Sequence, residues 1–363
     1  MNQKILFIMQ QVSPGTHMDY VYEMARTLRE DEGVPLELLL EKPHDSSFPE
    51  WVTVQQLSFA PLRALENFYL ILRARLTGTK TFYIHYSYLS AITAGLVTKV
   101  LGGRVLYWNA GMPWQYKRKS TEEWYQRVAF RLIDTLVTGA EALIPGYTKM
   151  YGLKDGQVVV IPNWIDRTKI NLDTNHRLSV LREYGIPDDA KVILFVHKLS
   201  KRKGANFLPD ILAALEDKNA HLIVAGSGPL RTELEAAFAD CGLTERAHLL
   251  GSVPRSTVEN LYQAADVFLM PSEEEGSPHS LIETLAYQVP FVAFAVGGVG
   301  ETATAALADY VVPFGEVKYM ATKINGLLQN SSEYKRVQQL EAEVVSRYDK
   351  SVVVALFKKL LTE

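Results

Sequence analysis

Short apolar runs of three to five residues recur along the chain with helical patterns between them, and few folds accommodate that alternation. In the first half the runs are Ile5–Met9, Leu36–Leu40, Phe82–His85, Val105–Trp108 and Thr135–Val137. Between the first two, Met18, Val21, Tyr22, Ala25 and Leu28 fall at three- and four-residue spacing, the apolar stripe of a helix lying on a sheet. The pattern restarts with Val192–Val196, Leu222–Ala225, His248–Leu250, Val267–Met270 and Phe291–Phe294, separated by helical stretches such as Leu230–Phe238 and Val258–Ala265. Apolar strands alternating with helices imply parallel sheets covered on both faces. The chain therefore reads as α/β, with two doubly wound, Rossmann-like domains facing each other across a cleft. The expected division is residues 1–170 and 171–349, with a C-terminal helix of about residues 350–363 available to pack back on the first domain. Between the halves, Pro162-Asn163-Trp164-Ile165-Asp166 reads as an exit turn into a linker.

Composition narrows the function. A chain of 363 residues with 47% hydrophobic residues has enough apolar material for two cores. A formal net charge of -3 gives no sign of a nucleic-acid partner. The single cysteine, Cys241, excludes an internal disulfide and suits a reducing, cytoplasmic compartment. The apolar run at the N-terminus ends at Met9 and Pro14-Gly15 breaks it, too short for a membrane span or a signal segment. Either a soluble protein or one bound to a membrane surface is expected.

The chemistry concentrates after Val267–Met270, in Pro-Ser-Glu-Glu-Glu-Gly-Ser-Pro-His-Ser-Leu-Ile-Glu-Thr-Leu-Ala. Gly276 and Pro278 force a turn, and Leu281, Ile282, Leu285 and Ala286 start a helix. That strand–turn–helix unit would aim the backbone N–H groups of Ser280 and Leu281 at an anion such as a diphosphate. Glu275 before the turn and Glu283 inside the helix offer carboxylates to sugar hydroxyls and a ribose diol. The plainer alternative is a solvated acidic run, Glu273-Glu274-Glu275, beside a helix that tolerates an acid near its N-terminus.

The segment EGSPHSLIETLA resembles the EGFPNVLLEAMA variant of the E-x7-E motif of family 4 retaining glycosyltransferases of the GT-B fold. Further segments resemble that family in its order: VHKLSKRKG (196–204), AGSGP (225–229), Leu250-Gly251-Ser252-Val253, VGGVGE (296–301), IPNWID (161–166) and Pro14-Gly15-Thr16. The resemblance implies a nucleotide-diphosphate sugar donor, with a glycan or lipid-linked acceptor, in surface polysaccharide or glycolipid synthesis. It assigns Lys198 and Lys203 to the departing diphosphate, where placed cations stabilise developing charge. Glu275 would meet donor hydroxyls and Glu283 the ribose. Gly15, Thr16, Ser252, Val253, His279, Ser280 and Leu281 would complete the donor site. His85 would contact the transferring sugar. Asn109 stands where a second histidine is usual, and it cannot serve as a base. Trp108 and Trp114, with Asn109, are the acceptor candidates, and Lys117-Arg118-Lys119 would suit an anionic lipid or a pyrophosphate. The run Leu62–Leu76, rich in large apolar residues and arginine, suits a surface amphipathic helix, or equally a core-facing one with solvated basic residues. No cofactor, no metal and no side-chain nucleophile are expected. The rival readings are another nucleotide-sugar enzyme of the same fold, such as an epimerase, and a non-catalytic binding subunit.

Overall fold

The structure, a computed structural model, describes residues 3–12, 17–42, 48–57, 59–115, 117–154, 156–172 and 176–363. It divides into two compact units, Met1–Pro162 with Ser351–Glu363, and Asn163–Lys350. Both are Rossmann-like α/β units with all-parallel sheets.

In the first unit seven strands run β3-β2-β1-β4-β5-β6-β7 across the sheet. They are β1 (Lys4–Met9), β2 (Leu36–Leu40), β3 (Val52–Val54), β4 (Thr79–His85), β5 (Arg104–Trp108), β6 (Thr135–Thr138) and β7 (Val158–Val160). The central strands are apolar on both faces because helices cover both, and Ile5, Phe7 and Ile8 of β1 are all buried. The edge strands β3 and β7 were absent from the expected set. Each has three residues, none fully buried, so the apolar signal is weak; short edges of this kind limit pairing with other chains.

In the second unit six strands run β10-β9-β8-β11-β12-β13. They are β8 (Lys191–Val196), β9 (Ala220–Ala225), β10 (Ala247–Gly251), β11 (Val267–Met270), β12 (Phe291–Phe294) and β13 (Val311–Val312). The chain winds outward from β8 to β10 and then returns to lay β11 against the other side of β8. Ligands in such sheets bind beyond the carboxyl ends of the strands at that reversal. In the first unit the reversal lies between β1 and β4.

The division falls after Pro162 rather than at residue 170. The physical reason is that the Asn163–Asp166 turn is tied into the second unit. The Asn163 amide donates to Ser277 Oγ at 2.9 Å, and Ile165 bridges to Asp349. The C-terminal helix Lys350–Thr362 returns to the first unit, where Phe357 meets Tyr83 edge-on at 5.6 Å and Arg104 Nη2 donates to the Leu361 carbonyl at 2.9 Å. Among the described residues no helix is long and apolar enough to cross a membrane.

Candidate active site

The second unit gathers its polar side chains at the β8/β11 reversal. Its loops fit together because two glycines have no side chain. A methyl on Gly226, after β9, would lie 1.9 Å from the His197 carbonyl oxygen, and one on Gly204 would lie 1.7 Å from that of Pro271. Gly204 also holds φ +68, a region costly for any residue with a Cβ. The loop after β8 is thereby pressed against the loop after β11, which sets Lys203 beside Glu275.

Glu275 is 5% exposed. Its Oε1 receives three donors: Ser272 Oγ at 2.7 Å, Lys203 Nζ at 2.8 Å and His197 Nε2 at 3.2 Å. No described residue places a donor on Oε2. Burial alone would raise this carboxyl, but Lys203 and His197 hold it far below the usual carboxylate range. A carboxylate kept ionised at every ordinary pH accepts hydrogen bonds well and is a poor general base. Burial and the neighbouring Lys203 lower His197, against the pull of Glu275, so it is neutral at neutral pH. The backbone is braced as well: Gly298 N–H, in the loop after β12, donates to the Glu275 carbonyl at 3.2 Å.

Glu283 lies on the helix His279–Tyr287, and is also 5% exposed. It pairs with Arg255, accepts from Tyr262 OH at 3.2 Å and lies 3.6 Å from His279 Nδ1. Burial opposes its ionisation, and His279 and Arg255 reverse that, bringing it down to about 2. The N-cap residue, Pro278, makes no side-chain cap, so the leading N–H groups of this helix, those of Ser280 and Leu281 among them, can serve an anion. Lys198 is exposed, and its ammonium makes no ion pair with a described residue. Ser252, also exposed, shares a 2.8 Å hydrogen bond with Ser227, joining the turns after β9 and β10; Val253 beside it is half-buried.

Sequence reasoning missed His197, Ser272, Arg255 and Tyr262. His197 lies inside a segment singled out for its lysines, and a polar residue at the carboxyl end of β8 was the available signal. Arg255 and Tyr262 lie on the helix Arg255–Ala264, whose approach to Glu283 depends on tertiary packing.

In the first unit His85 ends β4 buried, stacked on Trp108 at 5.5 Å and meeting Tyr86 edge-on at 4.8 Å. Tyr86 takes φ 59, a left-handed conformation that costs free energy in a tyrosine and marks the β1/β4 reversal as strained. Beside it, Ser87 Oγ donates to the buried Glu41 at 2.5 Å, a carboxylate at the end of β2 that was not anticipated. Gly15 and Thr16 lie outside the described residues. The acceptor candidates need correction. Trp108 is 2% exposed, between His85 and Phe357, and offers no face to a sugar. Asn109 is buried, and its Oδ1 accepts from the Gly111 amide at 3.0 Å. Trp114 is half-buried over Gly146, edge-on to Tyr147 at 5.1 Å. Arg118 is turned inward onto Gln126 and onto Tyr151 OH, the latter at 2.8 Å, which removes it from the lipid-facing set and leaves Lys117 and Lys119 exposed.

Comparison with known proteins agrees with this architecture. Residues 179–343 match the family described as Glycosyl transferases group 1. The match lies within the second unit and spans less than half of the chain. An uncharacterized glycosyltransferase of Methanocaldococcus jannaschii is 33% identical over 169 residues, 46% of this chain and 43% of that one. The putative teichuronic acid biosynthesis glycosyltransferase TuaC of Bacillus subtilis is 30% identical over 180 residues, 48% of this chain and 44% of that one. The chain thus spans less than half the length of these two curated relatives. Among solved structures, the sucrose-phosphate synthase of Thermosynechococcus elongatus superposes with TM-score 0.82 at 18% identity, covering 99% of this chain and 98% of that one. HepE of Anabaena, solved with UDP and glucose, gives 0.81 at 17% identity with 99% of each chain covered. These likenesses establish the fold, GT-B.

Proposed function

We propose that the chain is a retaining, metal-independent family 4 glycosyltransferase. It moves a hexose-type sugar from a nucleotide-diphosphate sugar to a glycan or lipid-linked acceptor, in surface polysaccharide or glycolipid synthesis. The observation that carries this reading is the buried Glu275 carboxylate at the β8/β11 reversal, its Oε1 saturated by Lys203, His197 and Ser272 and its Oε2 left to a ligand. Glu275 grips donor hydroxyls, Glu283 holds the ribose diol, and the turns at Ser252 and Val253 meet the base. Lys198, Lys203 and the Ser280 and Leu281 amides receive the diphosphate. In the reaction the bond from the anomeric carbon to the phosphate oxygen breaks. A bond from that carbon to the acceptor oxygen forms on the same face, and the acceptor proton passes to the departing phosphate. Charge stabilisation by fixed cations and amides supplies the main rate effect. The acceptor is received by the first unit, and the enzyme works at the cytoplasmic face of a membrane in peripheral contact with it. Support comes from the group 1 match, from the teichuronic acid biosynthesis in the name of TuaC, and from the UDP and glucose in the HepE structure.

The test is mass spectrometry of reaction mixtures containing a panel of nucleotide-sugars. One donor is expected to release sugar and nucleoside diphosphate, and Glu275→Gln to slow that release by about 10- to 100-fold, the range for losing a charge-assisted hydrogen bond. Hydrolysis of no donor by the wild-type chain, or equal rates in the variant, would refute the reading.

A further inference from the structure

The helix Ala60–Leu76 carries large apolar side chains on its outer side as well as its inner one. A helix covering a sheet normally turns its apolar stripe inward and its polar stripe to water. Here a polar residue is buried on the inner side: Asn67 is 1% exposed and donates to Ser90 Oγ at 2.7 Å, close to the buried Glu41. The outer side carries Leu62, Leu65, Phe68, Tyr69 and Leu76 at three- and four-residue spacing, and Leu65 is 66% exposed. The neighbouring helix Tyr88–Leu101 repeats the arrangement with Leu89, Leu96 and Val100, and the next, Ser120–Leu132, adds Trp124 and Tyr125. All three helices pack on one core cluster, through Ile71, Ala94 and Phe130, so they lie on the same face of the first unit's sheet. Of the twenty large apolar side chains exposed among the described residues, thirteen fall between Leu57 and Tyr125, and only four in the second unit. Scattered exposed leucines need no explanation, but a continuous face of them does.

The charge is as uneven as the apolar exposure. Residues 59–132 hold eleven lysines and arginines against three acids, a formal +8 in a chain whose total is -3. Arg73, Lys99 and Arg131 are exposed and make no ion pair with a described residue. Large apolar residues, interfacial tryptophan and tyrosine, and unpaired basic residues on one helical layer fit a surface that is apolar at depth and negative at its rim. A second copy docking here would need an acidic apolar face, and the described residues of the second unit expose only four large apolar side chains.

We propose that the outer faces of these three helices form a membrane-docking surface that lies in the interface of an anionic bilayer. The helices lie in the membrane plane, with leucine and phenylalanine side chains among the acyl chains and Arg73, Lys99 and Arg131 at the phosphates. This deepens the functional reading in one respect, the membrane contact, and rests on that placement but not on the transferase chemistry. Donor hydrolysis in solution separates failure of one from failure of the other.

The test is co-sedimentation of the full chain with vesicles of phosphatidylcholine alone and of phosphatidylcholine mixed with phosphatidylglycerol. Binding to the mixed vesicles is expected, weakening as salt shortens the Debye length below about 8 Å. Arg73→Gln should lower partitioning about five-fold, the effect of one basic residue near a charged surface. Leu65→Glu with Phe68→Glu should abolish it while thermal stability and donor hydrolysis stay unchanged, since both side chains are exposed and far in the chain from the donor site. Absence of binding to either vesicle, equal and salt-insensitive binding to both, or unaltered binding by the double variant would overturn the proposal. So would sedimentation velocity showing a dimer of the wild-type chain that the double variant dissociates, which would make the face an interface between copies.

Discussion

Replacing Lys203 by methionine tests the electrostatics of the site in a way that a simple loss of activity does not. The lysine ammonium lies 2.8 Å from a carboxylate that is 5% exposed. Removing one partner of a buried ion pair costs about 3–5 kcal/mol when the other charge is left alone. Here Ser272 and His197 remain as donors and the lysine side chain is 18% exposed, so we expect a loss near about 2 kcal/mol. In a unit of the length Asn163–Lys350 that corresponds to a fall of about 4–8 °C in melting temperature. The loss should also depend on pH. In the native site burial and Lys203 lower His197, while Glu275 pulls it up. Without the lysine, burial alone opposes the pull of Glu275, and the folded-state pKa of His197 rises toward its unfolded value. A histidine lowered by folding costs stability as pH falls through its unfolded pKa, and one lowered less costs less. Lys203→Met should therefore lose less at about pH 5.5 than at about pH 8, a shift of one pKa unit being worth about 1.4 kcal/mol. Scanning calorimetry of both proteins at the two pH values measures this. An equal loss at both, or a larger one in acid, would refute the argument.

Two further expectations follow from the same loops. Gly204→Ala puts a methyl 1.7 Å from the Pro271 carbonyl oxygen and forces a left-handed alanine, itself worth about 1–2 kcal/mol. It should lower the melting temperature by more than about 5 °C and weaken donor binding, whereas Gly300→Ala, with open space around it, should do neither. The lowered Glu283, at about 2, contributes stability that is present above about pH 4.5 and lost as pH falls toward about 2, up to about 3 kcal/mol in all. Acid titration of the unfolding free energy should show that slope in the wild type and a flatter one in Glu283→Gln.

The strand cores were legible in the chain because parallel strands buried on both faces write continuous apolar runs, and Ile5–Met9 or Val192–Val196 cannot be solvated. The edges were not, since Val52–Val54 and Val311–Val312 are too short to show a period. Glu275 and Glu283 stood out because turn chemistry and helix start frame them locally, and Lys203 because its segment VHKLSKRKG resembles a family motif. Their partners did not. His197 reaches Glu275 across 78 residues, and Arg255 reaches Glu283 across 28, through sheet order and helix packing that no local window contains. Trp108 was misassigned for the same reason. An aromatic at the end of a strand reads alike whether it faces a sugar or, as here, Phe357 from the far end of the chain. Asn163 read as a linker turn, yet its side-chain amide donates to the Ser277 carbonyl at 2.6 Å and so holds the loop that carries Glu275.

The central claim is that the second unit holds a nucleotide-sugar through the two buried carboxylates. Isothermal titration of the wild-type chain and of Glu283→Ala with uridine, adenosine and guanosine diphosphates and their glucose conjugates tests it most directly. The account predicts that the wild type binds one nucleotide series selectively. It predicts that Glu283→Ala weakens that binding by about 10-fold or more, as expected for losing hydrogen bonds to a charged group, at unchanged melting temperature for the first unit. Failure of every nucleotide to bind the wild type, or equal affinity in the variant, would contradict it.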